Sequence, residues 1–133
     1  MANDEDLRKH PRVRDDMPVR WYIDQKGLQG RGILRNISVS GALLETKTLI
    51  APEERSVVTM LAEDPQEKDF IPPLARIAWA RGAKEGKGYF FYGLEFMSMT
   101  EANKTALPAR VEEKLQSISF GLGSGISNNY FGL

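Results

Sequence analysis

The sequence predicts an all-β-dominated fold, a six-stranded antiparallel β-barrel closed by one C-terminal α-helix. Short apolar and β-branched runs recur from residue 18 onward, each bounded by Gly or Pro, which is how strands joined by turns read. Six such runs follow one another at the spacing of a small barrel. Beyond residue 98 the apolar period lengthens from that of a strand to that of a helix. At 133 residues the chain has the length of one domain with a sizeable core.

The first strand is read at 18–24, and the Gly-Leu-Gln-Gly stretch at 27–30 as the turn after it. Residues 31–38 and 41–46 supply the second and third strands, and 56–63 the fourth. A polar connector, 64–69, leads to the fifth strand at 74–81; Pro72 and Pro73 belong at its irregular entry because neither can donate a ladder hydrogen bond. The glycine-rich loop at 82–88 precedes the most aromatic run of the chain, 87–97, the sixth strand. Alternation sends Tyr89 and Phe91 to one face and Phe90, Tyr92 and Leu94 to the other, so at least half of this run is barrel core. Trp21 and Trp79 are read as core residues first.

Ser98 and Glu101 fit a capping box at the helix start. Leu107, Val111, Leu115 and Ile118 then recur at steps of four, four and three, an apolar stripe for packing on the barrel. Pro108 should kink this helix or begin its second part. Residues 1–17 are expected to form a flexible N-terminal linker, 18–120 the barrel with its helix, and 121–133 a Gly-rich flexible tail whose Tyr130 and Phe131 could dock on a partner.

Composition excludes several functions. Eighteen basic residues balance eighteen acidic ones, so no global field attracts DNA or an anionic membrane, and nucleic acid is not expected as a partner. With no Cys and one His, neither a thiolate nor a histidine-rich metal centre is available, and no metal site is expected. No run approaches the roughly 20 apolar residues of a membrane helix, and the N-terminus has no apolar signal region. A soluble, cytoplasmic protein without membrane insertion is the expectation.

Two short motifs remain. In Arg-Lys-His-Pro-Arg, residues 8–12, Pro11 biases His10 away from helix, so Arg8 and Arg12 sit on an extended or bent segment. Two planar guanidinium forks placed this way suit phosphate oxygens or a guanine edge. Taken alone, the pentapeptide also reads as a solvated basic leader. In Asn-Ile-Ser-Val-Ser-Gly, residues 36–41, strand alternation puts the Asn36 amide and the Ser38 hydroxyl on one face, a pair able to read a base edge and a phosphate. Gly41 allows either a positive φ or a close approach to the backbone. Alone, this motif also reads as an ordinary hairpin turn.

In this order and context, the two motifs resemble those of the PilZ family of bacterial cyclic di-GMP receptors: an Arg-x-x-x-Arg on an N-terminal linker, then Asp/Asn-x-Ser-x-x-Gly on a strand. The resemblance spans roughly residues 7–118 and implies a single-domain PilZ-type barrel. It further implies that Arg8 and Arg12 clamp the phosphates and guanine faces of cyclic di-GMP, that Asn36 bonds a guanine edge, that Ser38 contacts base or phosphate, and that Gly41 leaves room for the nucleotide. Leu7 and His10 fall where minor contacts would be made. Asn36 stands where many members carry Asp, and a neutral amide forfeits a charge-assisted hydrogen bond.

The function expected from this resemblance is second-messenger reception and signal transduction. The chain would be a non-enzymatic receptor without a cofactor, a monomer or weak homodimer that relays nucleotide binding to a protein effector. The alternative is a PilZ-like adaptor acting through protein contacts without nucleotide. A hydrolytic triad of His10, Ser38 and Asp15 or Asp16 is disfavoured, because no strained nucleophile turn surrounds Ser38.

Overall fold

A computed structural model describes residues 10–50, 56–82 and 88–120, the last three by backbone alone. Six strands, β1 (Val13–Ile23), β2 (Leu28–Ile37), β3 (Gly41–Thr46), β4 (Val57–Ala62), β5 (Leu74–Arg81) and β6 (Phe90–Ser98), precede one helix, α1 (Glu101–Phe120). The strands close into an antiparallel barrel in the order β1-β2-β3-β6-β5-β4, with β4 returning to β1. This is the six-stranded barrel with a C-terminal helix that the apolar pattern predicts.

Inward positions fill the barrel with large apolar side chains, among them Met17, Trp21, Ile23, Leu34, Leu44 and Tyr92, all essentially without solvent exposure. Packing such side chains out of water is the main stabilising term, about 1.5–3 kcal/mol for each fully buried one. Their polar atoms are matched. The Trp21 indole donates to Thr46 Oγ1 at 3.2 Å, and that hydroxyl donates onward to the Arg31 carbonyl at 2.7 Å. Tyr92 Oη accepts from the Ile50 amide at 2.6 Å and donates to the Thr48 carbonyl at 3.4 Å. Leu107 and Val111 of α1 join the same core, and Leu115 packs against it. The Ile118 side chain lies outside the described residues.

Several boundaries differ from the sequence expectation, each for a local reason. The first strand begins at Val13 rather than at residue 18, because Val13, Asp15 and Met17 alternate as buried positions with exposed Arg14 and Asp16. The charged Asp15 hides this alternation from a hydrophobicity reading. The first turn lies at Asp24–Lys26, a single 3-10 turn ended by Gly27 at φ 64°, where a residue without Cβ is favoured. Gly30 instead sits within β2 beneath the Trp21 ring. The polar connector before β5 is a 3-10 helix, Pro65–Phe70, capped by Asp64, whose carboxylate accepts from the Gln66 amide at 3.0 Å.

The helix cap is formed by Thr100 and Asn103 rather than by Ser98 and Glu101. Thr100 Oγ1 accepts from the Asn103 amide at 3.0 Å, and Asn103 Oδ1 accepts from the Thr100 amide at 2.9 Å, the reciprocal arrangement of a capping box. Asn103 Nδ2 also donates to the Asp69 carbonyl at 2.8 Å, tying the cap to the 3-10 helix, which a Glu carboxylate could not do. Ser98 is still paired in β6, opposite Leu74. Pro108 lies exposed inside one helix that runs from Glu101 to Phe120, where it offers no N–H to the Lys104 carbonyl four residues before it. No helix among the described residues is long and apolar enough to cross a membrane.

Candidate functional site

Two irregularities in the ladder create the surface of interest. Met17 and Leu44 face the core and both oppose Leu34, whereas Asn36 opposes Arg14 on β1 and Leu43 on β3. Because β1 and β3 alternate regularly here, β2 must change face between Leu34 and Asn36, which leaves Arg35 as the irregular residue. Asn36 therefore shares the outer face of the barrel with Arg14 and Leu43, while Ile37, opposite Val13, returns to the core. On β5 the same thing happens at Ala78: Ile77 opposes inward Leu94, but Trp79 opposes Gly93. The result is one transverse row across five strands, Arg14, Asn36, Leu43, Gly93 and Trp79, on the outside of the barrel.

Asn36 is the unusual member of this row. It is 1% exposed, yet both atoms of its amide lack a hydrogen-bond partner among the described residues. A buried amide left unpaired costs about 1–3 kcal/mol, which makes Asn36 the candidate contact for a polar ligand in this row. Ser38, by contrast, is engaged. Its Oγ accepts from the amides of Ser40 and Gly41, both at 3.1 Å, and lies 3.2 Å from Ser40 Oγ, which fixes the turn from β2 into β3. Gly41 is opposite Glu95 on β6, and a Cβ there would overlap the Leu94 carbonyl oxygen. The close approach at Gly41 is thus to the neighbouring strand.

Arg12, the second arginine of the motif, adjoins the same end of β2. Arg12 is half-buried and immediately precedes Val13, which opposes Ile37; His10 is exposed. Leu7 and Arg8 lie outside the described residues, as does the Gly-rich segment 121–133.

Beside Asn36 runs a chain of four charges that sequence reading missed. Arg14 Nε donates to Asp16 Oδ1 at 3.1 Å, Arg35 Nη1 to the same oxygen at 3.0 Å, and Arg35 Nε to Glu45 Oε1 at 2.7 Å. Burial by itself would raise the Asp16 carboxyl, but the hydrogen bonds from Arg35 and Arg14 outweigh it and hold the group below the ordinary carboxylate range. The Glu45 hydrogen bond, then Asp16, holds the Arg35 guanidinium above its usual value against the effect of burial.

Trp79 was expected in the core and is instead a partly buried outer residue. Its indole lies against Gly93, where a Cβ would overlap the ring. The Arg81 guanidinium lies 5.8 Å from the Trp79 ring centroid and 5.4 Å from that of Phe91, so two aromatic faces and a cation adjoin the row. As alternation predicts, Tyr92 and Leu94 are buried, and Phe90 packs against the core. Hydrolytic use of the acids is unsupported: Asp15 is bound by Arg110 at 2.8 and 3.0 Å, and Ser38 Oγ is occupied in its turn. No cluster of three or more His, Cys, Asp or Glu able to hold a metal occurs among the described residues.

The chain is thus a closed six-stranded barrel with a C-terminal helix, and its outer wall carries an arginine, a buried amide and an indole in one row. Comparison with known proteins gives its family: the PilZ domain model matches residues 6–113, and the chain belongs to the PilZ domain family. Solved structures agree in fold. The PilZ domain of YcgR from Escherichia coli, solved with c-di-GMP, is similar at 12% identity and a TM-score of 0.56, over 88% of this chain and 98% of that one. MotI/DgrA, an inhibitor of motility from Bacillus subtilis, is similar at 14% identity and a TM-score of 0.61, over 82% of this chain and 51% of that one. The MrkH–c-di-GMP complex of K. pneumonia is similar at 12% identity and a TM-score of 0.57, over 86% and 54%. The chain thus spans about half the length of MotI and MrkH. No curated protein matches it.

Proposed function

We propose that this chain is a cyclic di-GMP receptor that holds the nucleotide between the Arg-x-x-x-Arg segment, Arg8 to Arg12, and the Asn36–Gly41 strand motif. The observation that carries this reading is the buried Asn36 amide, unpartnered among the described residues and set on the outer wall next to the strand that continues from Arg12. An amide carbonyl there can accept from the N1 and N2 hydrogens of guanine, and the arginines can meet phosphate oxygens or base faces. Family membership and complexes of YcgR and MrkH with c-di-GMP support the same ligand. The function is binding rather than chemistry: ligand contacts offset the cost of ordering the N-terminal segment, and the altered surface is read by a protein effector. Ser38 serves by shaping the turn beneath the site, with Leu7 and His10 at its edge.

Calorimetric titration with cyclic di-GMP tests the reading. Saturable binding that Arg12→Ala abolishes or severely weakens, with the barrel still folded, is expected; equal affinity in the variant would remove the arginine clamp. A parallel titration with a single-stranded oligonucleotide should give no comparable binding.

One observation favours the adaptor alternative. Ser38 and Gly41 both have structural explanations, in the turn and against Leu94, so two of the three defined residues of the strand motif serve the barrel irrespective of any nucleotide. Absence of cyclic di-GMP binding by the folded chain would select that reading.

A further inference from the structure

Arg14 stands two residues beyond the arginine motif and belongs to neither family signature. Its backbone is directly opposite Asn36, and both residues face outward, so their Cβ atoms are neighbours across the β1–β2 pair, about 4.5–5.5 Å apart. We propose that Arg14 is a third phosphate-binding guanidinium of the nucleotide site, held in reserve on Asp16 and transferred to the ligand when it arrives. This inference rests on the cyclic di-GMP reading given above.

The wiring of the four charges makes Arg14 the group free to transfer. Arg35 is gripped at both ends, by Glu45 at 2.7 Å and Asp16 at 3.0 Å, and its side chain is 30% exposed. Arg14 bonds one carboxylate oxygen through Nε, at 3.1 Å, and its side chain is 51% exposed. Both arginines bond the same atom, Asp16 Oδ1, so departure of Arg14 leaves that carboxylate still paired with Arg35. No buried charge is orphaned by the exchange. An exposed ion pair contributes little and is screened by salt, whereas a guanidinium–phosphate contact is charge-assisted and geometrically matched. Asp16 therefore acts as a placeholder for phosphate: it keeps Arg14 beside Asn36 in the free protein and yields it to a stronger anion.

The inference is tested by calorimetric titration of cyclic di-GMP into the intact chain and its Arg14→Ala and Arg14→Lys variants at low and high salt. Arg14→Ala should bind about tenfold or more weakly at low salt and lose part of the salt dependence, with Lys recovering part of the affinity. Its melting temperature should stay within about 2 °C of the parent, because only an exposed ion pair is lost. Asp16→Asn should bind more tightly, since the competing carboxylate is gone. Binding by the parent with unchanged affinity and salt dependence in Arg14→Ala would overturn this inference alone. No binding by the parent would overturn the receptor reading and this inference with it. Should Arg14→Ala fail to fold, Arg14→Gln, which keeps the stem, decides on the same criteria.

Discussion

Arg110 on α1 grips Asp15 on β1 with two hydrogen bonds, Nε to Oδ2 at 2.8 Å and Nη2 to Oδ1 at 3.0 Å, joining residues 95 positions apart. Glu67 adds a contact to Nη2 at 3.2 Å, and the guanidinium lies 4.5 Å from the centroid of the Phe70 ring. Foremost the Asp15 hydrogen bonds hold the Arg110 guanidinium above its ordinary value, against burial. Arg110→Ala would leave Asp15, 5% exposed, with Lys114 at 4.0 Å as its remaining ion-pair partner among the described residues. A loss of about 3 kcal/mol is expected in urea denaturation, because breaking a buried pair strands its partner. The double variant Asp15→Leu, Arg110→Met, apolar at both positions, should recover much of it. A loss under about 1 kcal/mol for Arg110→Ala would show that α1 is held by its apolar face alone.

Gly41→Ala separates a structural role from a ligand role. The added methyl meets the Leu94 carbonyl oxygen, so β3 and β6 must part locally. A loss of about 1–3 kcal/mol is expected in the absence of any nucleotide. Unchanged denaturation with weakened nucleotide binding would instead assign Gly41 to ligand clearance.

Asn36→Leu should raise the stability of the free chain and destroy its response to ligand. Replacing a buried, unpaired amide by an apolar group of similar size removes a desolvation penalty of about 1–3 kcal/mol. Thermal melts with and without cyclic di-GMP should show a higher midpoint in the variant and no shift on adding nucleotide. A destabilised variant would mean that the amide is satisfied in the free protein.

Tyr92 makes stability sensitive to alkali. Burial raises its phenol above the ordinary 10.0, outweighing the opposite effect of the hydrogen bond from Ile50. A phenol with a raised folded-state value stabilises fully below its unfolded value and loses that contribution as pH climbs through the folded one. Denaturation midpoints should therefore fall above about pH 10. Tyr92→Phe should remove this component and cost about 1–3 kcal/mol at neutral pH, since the Ile50 amide loses its acceptor.

Much of the fold was legible from local patterning. Inward alternation along Val19, Trp21 and Ile23, the Gly and Pro punctuation, and the Leu107, Val111, Leu115 stripe are properties of nearby residues, so they can be read without partners. Where a charged side chain occupies an inward position, as Asp15 does, the pattern breaks, because its partner Arg110 is remote in sequence. The cap was missed for a related reason: Asn103 was chosen by the Asp69 carbonyl as well as by Thr100.

The motif residues themselves, Arg12, Asn36, Ser38 and Gly41, were visible as a pattern in the chain. Which way they face was not. By simple alternation Asn36 follows Leu34 inward and Trp79 follows Ile77 inward; the ladder turns both outward, at Arg35 and Ala78. A strand's face is set by the register of the strands on either side, and one extra residue reverses every side chain beyond it. The sequence by itself determined a six-stranded barrel, its helix and two candidate motifs. Only the closed sheet decided that Asn36, Arg14 and Trp79 share one outer row, because pairing across strands, unlike alternation along one, depends on residues far away in the chain.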